Sequence, residues 1–152
     1  MKDYANRPLA LFLFPCNQFF KQEPDGAPSC ARVSRMSKNM LDLTASNVQM
    51  MAEVNVNGED ASEVFQFLKY NSSLYNDKSG MAKPISWNFN KFLVNPKGGG
   101  VYKHYAESAA WFVIREDIDL LLGHSSPQSS ARKSNIVRSS VRVLPQQVID
   151  KE

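Results

Sequence analysis

Leu9-Ala10-Leu11-Phe12-Leu13-Phe14-Pro15-Cys16-Asn17-Gln18-Phe19, followed at Gln22-Glu23-Pro24, joins an apolar run to a polar loop. Its first six residues form a continuous apolar run between Pro8 and Pro15. A run of that length and character predicts a strand buried on both faces, as in a parallel sheet. Asn17 and Gln18 follow just past the strand end, in a loop where polar side chains can converge. A second block, Trp87-Asn88-Phe89-Asn90-Lys91-Phe92-Leu93, lies well downstream.

Downstream, Lys21–Ser29 contains Pro24, Asp25-Gly26 and Pro28 and reads as loop and turn. From Cys30 to Leu43 the apolar residues Val33, Met36, Met40 and Leu43 recur every three or four positions, predicting an amphipathic helix. Met50–Val56 reads as a second strand closed by the Asn57-Gly58 turn. A short helix opens at Asp60-Ala61-Ser62-Glu63, with Asp60 as its cap and Val64, Phe65 and Leu68 as its buried face. Asn71–Lys83 reads as polar loop. Phe89–Val94 and Val101–Tyr105 flank Asn95-Pro96-Lys97-Gly98-Gly99-Gly100, a hairpin signal. Ile114–Leu122 predicts a final helix, with Ile114, Ile118, Leu121 and Leu122 inward and Arg115, Glu116 and Asp117 outward.

The chain has 152 residues, 43% of them hydrophobic, so a single domain with an ordinary core is expected. The longest apolar run near the start falls far short of the ~20 residues a membrane-spanning helix needs. The polar opening from Met1 to Arg7 does not resemble a signal peptide, so a cytoplasmic protein is expected. Two cysteines, Cys16 and Cys30, without C-x-x-C spacing exclude a disulfide scaffold. They form no ligand cluster with His104 and His124, so no metal or other cofactor is expected. The net charge of +3 has a location. Residues 124–152 hold Arg132, Lys133, Arg138, Arg142 and Lys151 against Asp150 and Glu152, which is 5 − 2 = +3, and residues 1–123 are neutral. The domain is therefore read as 1–123, and 124–152 as a mobile, basic, Ser-rich extension. Its scattered charges are the ordinary mark of a solvated tail, and no nucleic-acid partner is expected.

In order along the chain, the blocks F-P-C-N-Q-F, Q-E-P, V-x-V-N-G at Val54–Gly58, W-N-F-x-K-F-L-V at Trp87–Val94 and I-x-x-D-I from Ile114 resemble the glutathione peroxidase family. The resemblance covers roughly residues 9–122. It implies an α/β, thioredoxin-like fold, here lacking its first strand and helix. The peroxide-reducing cysteine or selenocysteine of the family precedes the first block. Thirteen residues stand before Phe14 and none is a cysteine, so this chain is expected to carry the supporting part of a site without its nucleophile.

The resemblance implies a thiolate or selenolate that attacks a peroxide O–O bond and is oxidised to a sulfenic or selenenic acid, then reduced by thiols. Neutral donors suit that chemistry, because they hold a thiolate and a departing oxygen without adding charge. By the resemblance, Gln18, Trp87 and Asn88 supply them. The partners implied are hydrogen peroxide or an organic or lipid hydroperoxide, and glutathione or a thioredoxin-type protein as reductant. The short Asn71–Lys83 loop resembles that of the monomeric branch, so a monomer is expected.

The same residues also have plainer readings. Asn17-Gln18 can be a simple turn and Trp87 a core side chain. Cys16 follows an apolar strand and reads as a buried, inert thiol. Cys30, near a predicted helix start where the dipole favours the thiolate, is the other candidate redox thiol, although it falls earlier than the family's resolving position. Phe20 stands where the family pattern has a small residue, and Ala61-Ser62-Glu63-Val64-Phe65 lacks the usual His-Pro. The alternative function is a non-catalytic thioredoxin-like binding module, which would consume no peroxide and would gain a strand from its partner.

Overall fold

A computed structural model describes residues 4, 6–22, 47–95, 97 and 99–123. The helix expected over Cys30–Leu43, Cys30 itself and the 124–152 extension lie outside the described residues. The chain divides into two compact units, residues 1–62 and 63–152, each described by itself below.

In the first unit, β1 (Leu11–Leu13) pairs in parallel with β2 (Val48–Met50), with Leu11 opposite Val48 and Leu13 opposite Met50. Both strands are shorter than the sequence suggests, and β2 begins earlier than expected. Pro15 explains where the pairing stops. Leu11 N–H donates to the Asn47 carbonyl at 2.8 Å, and Met51 N–H donates to the Leu13 carbonyl at 2.9 Å. In this alternation the next donor on the β1 side would be residue 15, and proline has no N–H. Pro15 can still accept, and its carbonyl takes a bond from Val54 N–H at 3.0 Å. Residues 51–56 therefore run alongside without a regular ladder.

The expectation of a strand buried on both faces is corrected. Leu11 and Leu13 are half-buried, whereas Phe12 is 50% exposed, the alternation of a strand with one covered face. Among the described residues β1 has a single strand neighbour, β2. At its entrance, Asn47 donates its side-chain amide to the carbonyls of Tyr4 (3.1 Å) and Leu9 (2.9 Å), which fixes how the chain enters β1. The Asn57-Gly58 turn forms as expected, with Gly58 at φ +84°, a conformation glycine adopts without steric cost.

The second unit opens with α1 (Glu63–Tyr70). It starts later than expected, directly after Ser62, so Asp60 does not stand at its cap position. Phe65 is buried, and its ring meets Phe92 edge-on at 6.3 Å. Val64, expected inside, is exposed, and Lys69 is buried on that face instead. Burial lowers the Lys69 pKa, because the ammonium loses hydration. Asn71–Lys83 is more than loop. β3 (Tyr75–Asn76) and β4 (Met81–Ala82) form a small antiparallel pair. Asn76 Oδ1 accepts from Lys78 N–H at 2.9 Å, and Gly80 at φ +68° closes the turn onto the Asn76 carbonyl.

The hairpin expected around the glycine loop is present: β5 (Lys91–Asn95) pairs antiparallel with β6 (Gly100–Tyr105), with Phe92 opposite His104 and a register shift between Leu93 and Val94. The closing helix α2 (Trp111–Leu121) begins three residues earlier than the sequence suggests and buries Ile114 and Ile118 as expected. Asp117 is not on the outer face. Its Oδ2 accepts from the Tyr105 hydroxyl at 2.7 Å and from Lys103 Nζ at 2.7 Å, so it joins α2 to β6. Lys103 is well exposed, and an ion pair of that kind contributes at most about 1 kcal/mol. The phenol–carboxylate bond is the stronger tie, because Tyr105 is only 4% exposed.

Two outcomes follow from this contact. Asp117→Ala leaves the buried Tyr105 hydroxyl without its acceptor, and is expected to cost about 1.5–3 kcal/mol, read as a lower denaturant midpoint at unchanged m-value. Burial, then the hydrogen bond and charge of Asp117, push the Tyr105 pKa far above its ordinary range. The folded-state pKa is raised, so this contribution is complete below the unfolded value of about 10 and is lost as pH rises past it. Stability measured from pH 9 to 11.5 should therefore fall above about pH 10, and the fall should be shallower in Tyr105→Phe.

Candidate functional site

Pro15 ends the β1 pairing, and the chain then turns through Asn17–Lys21, with Lys21 N–H donating to the Asn17 carbonyl at 3.3 Å. Phe20 and Lys21 both have positive φ, 59° and 47°. Two successive non-glycine residues in the left-handed region cost roughly 1–2 kcal/mol each, so something must hold the loop there. Gln18 supplies the hold. Its Oε1 accepts from Val56 N–H at 2.8 Å and Asn57 N–H at 2.9 Å, and its Nε2 donates to the Asn57 carbonyl at 2.9 Å. These bonds close over a chain separation of 38 to 39 residues. Where Pro15 interrupts the backbone pairing, a side-chain amide continues it. They also fix the amide's orientation and leave one Nε2–H outside them.

Cys16 is buried and its thiol is free. Its Sγ lies 3.8 Å from Gln18 Oε1 and donates weakly to it. The other candidate thiol, Cys30, lies outside the described residues.

Trp87 and Asn88 sit in the turn that leads into β5. Trp87 is 37% exposed and Asn88 half-buried, while Phe89 has φ 60° and is 79% exposed. Several polar contacts hold this turn. Asn90 Nδ2 donates to the Trp87 carbonyl at 2.8 Å. Lys91 Nζ donates to the Glu107 carbonyl at 3.0 Å, and Ser86 Oγ to Glu107 Oε2 at 3.4 Å. With Asn90 Nδ2 engaged, its Oδ1 faces His104 Nε2 at 2.7 Å, which makes Nε2 the protonated ring nitrogen. The imidazole lies against the Phe92 ring, centroids 4.8 Å apart. Burial holds the His104 pKa below its ordinary value, partly offset by Glu107, so the ring is neutral at neutral pH.

Gln18 belongs to the first unit, and Trp87 and Asn88 belong to the second. Asn90 and His104 escaped the sequence reading. Asn90 occupies the variable place in W-N-F-x-K-F. His104 becomes a neighbour only through the β5–β6 register. Val56 and Asn57 were read as a strand end and a turn, with nothing to mark them as partners of Gln18. Among the described residues no group of three or more His, Cys, Asp or Glu side chains could hold a metal ion, and no helix is long and apolar enough to cross a membrane.

Comparison with known proteins places these clusters in context. The family model described as "Glutathione peroxidase" matches residues 1–69. A glutathione peroxidase-like peroxiredoxin of Saccharomyces cerevisiae is 33% identical over 123 residues, 80% of this chain and 68% of that protein. Another of Schizosaccharomyces pombe is 32% identical over 119 residues, 78% of this chain and 68% of its own. A putative chloroplastic glutathione peroxidase of Arabidopsis thaliana is 32% identical over 124 residues, but this chain covers only 46% of its length. A solved structure, "Crystal structure of Trgpx in apo form", aligns with a TM-score of 0.46 at 18% identity, over 78% of this chain and 83% of that one.

Gln18→Ala is the direct test of the first cluster. It strips the N–H groups of buried Val56 and half-buried Asn57 of their acceptor, and is expected to cost about 1–2 kcal/mol in chemical denaturation. Faster amide exchange should appear at Val56 and Asn57, and a change confined to the Gln18 loop would contradict the bridging role.

Proposed function

The chain belongs to the glutathione peroxidase family, and from that premise we propose that it serves the thiol-dependent reduction of hydrogen peroxide or of organic and lipid hydroperoxides, as in a response to oxidative stress. The observation that carries this reading is the similarity to the yeast peroxiredoxins, at about one residue in three over most of this chain.

The reaction divides into steps that balance. A thiolate or selenolate attacks one peroxide oxygen; the new S–O or Se–O bond forms as the O–O bond breaks. The departing oxygen takes a proton and leaves as water or an alcohol. A first reductant thiol displaces water from the oxidised atom, and a second releases it as the reductant disulfide. Glutathione or a thioredoxin-type protein supplies these thiols. The role proposed for this chain's residues is to hold the attacking anion and the departing oxygen with neutral donors: the remaining Nε2–H of Gln18, the Trp87 indole N–H and the Asn88 amide. Gln18 supports the reading because its bonds to Val56 and Asn57 fix the amide before any substrate arrives. Cys16, buried beside Gln18 within its own block, is assigned no part in the attack.

The non-catalytic binding module keeps a place on one observation: the Gln18 amide already has a structural task. Peroxide consumption by the protein from its native source, recorded with its intact mass, separates the two. If the intact mass exceeds 17.1 kDa and the added residues carry the attacking thiol or selenol, turnover with glutathione or thioredoxin is expected, with kcat lowered roughly 100-fold in Trp87→Phe or Asn88→Ala and unchanged in Cys16→Ser. No consumption at high protein concentration would reject the peroxidase reading, and loss of turnover in Cys16→Ser would reject the inert assignment of that thiol.

A further inference from the structure

Resting on the peroxidase reading for its functional meaning, we propose that His104 is a positioning residue that acts through Asn90 to set the direction of Trp87 and Asn88. The peptide that joins those two residues is held by Asn90. Asn90 Nδ2 binds the Trp87 carbonyl at 2.8 Å, which fixes the plane of the Trp87–Asn88 peptide. A fixed peptide plane constrains ψ of Trp87 and φ of Asn88, and so the directions in which both side chains leave the backbone. The same bond closes a turn whose third residue, Phe89, stands at φ 60°. That conformation is unfavourable for a bulky side chain, and the turn opens unless a contact opposes it.

Asn90 can close the turn only while its amide keeps one orientation. A flipped amide would turn Oδ1 toward the Trp87 carbonyl, oxygen against oxygen. His104 selects against the flip, because its Nε2–H donates to Oδ1 at 2.7 Å. The imidazole in turn is held from two sides. Its strand position is set by the β5–β6 register opposite Phe92, and its ring lies against the Phe92 ring at 4.8 Å. The rigid hairpin thus reaches the turn through one ring and one amide. Phe92 also meets Phe65 of α1 at 6.3 Å, which ties the hairpin side of this path to the helix. Neither Asn90 nor His104 belongs to the donor set proposed for the reaction.

The test uses the two indole N–H signals of the chain, those of Trp87 and Trp111, in the 15N-labelled protein. Trp111→Phe assigns them by removing one. His104→Phe keeps an aromatic ring over Phe92 and removes the donor, Asn90→Ala removes the bridge from the turn itself, and His104→Gln restores a side-chain N–H. His104→Phe and Asn90→Ala are each expected to move the Trp87 indole signal and the Trp87 and Asn88 backbone amides by more than a linewidth. The Trp111 signal should stay in place, and His104→Gln should bring the Trp87 signal most of the way back. A role confined to packing would move both indole signals and would not be rescued by glutamine. Unmoved Trp87 and Asn88 signals in a folded His104→Phe protein would overturn the proposal, and if that variant does not fold, the same signals in Asn90→Ala decide. In turnover assays, His104→Phe should lower kcat by up to about 100-fold with KM little changed. An unaltered protein without turnover would reject the peroxidase reading and leave the spectral comparison, which needs none, to judge His104.

Discussion

The first unit depends on what happens where Pro15 has no N–H to give. A parallel pair of strands needs regular donors on both sides, and β1 loses its next one there. The Gln18 amide takes up the joining with three bonds to Val56 and Asn57. Next to that substitution of side chain for backbone lie the two left-handed residues Phe20 and Lys21, the buried Cys16 thiol and the Asn57-Gly58 turn. The residue proposed to face a peroxide is therefore the residue that holds two distant segments together.

The second unit solves a related problem with different groups. Its hairpin carries apolar side chains inward, but its exits are irregular and polar. Asn90 and Asp117 each settle one of them, at the Trp87 turn and at the junction of β6 with α2, and Asn76 closes the separate β3–β4 turn. Asn76 and Asn90 do so by binding a backbone group, whereas Asp117 binds two side chains, the Tyr105 hydroxyl and the Lys103 ammonium.

Local pattern made several elements readable in advance. The hairpin was legible because two apolar runs flank a loop of Asn, Pro and Gly. The core of α2 was legible because Ile114 and Ile118 fall on one face. The Asn57-Gly58 turn was legible from the dipeptide. Phe12 misled because a continuous apolar run does not say how many faces are covered. The β3–β4 pair is too short for periodicity to mark it. Val64 misled because adjacent apolar residues do not say which of them faces inward: the buried pair is Phe65 and Lys69, one turn apart. For the site, the residue types Gln18, Trp87 and Asn88 stood in the blocks that resemble a known family, whereas their supports did not. Val56 and Asn57 meet Gln18, and His104 meets Asn90, each through pairing within its own unit, which no local spacing records.

Asn57-Gly58 is also the only Asn-Gly dipeptide in the chain. In that dipeptide the following peptide nitrogen attacks the asparagine amide most readily, because glycine has no side chain to obstruct it, and the product is an aspartate or isoaspartate. The attack requires the backbone around the asparagine to swing into a narrow arrangement. Here the N–H and carbonyl of Asn57 are both held by the Gln18 amide, and Gly58 is set at φ +84°. The bonds that shape the Gln18 loop thus also restrain the motion that deamidation of the Asn57-Gly58 turn requires.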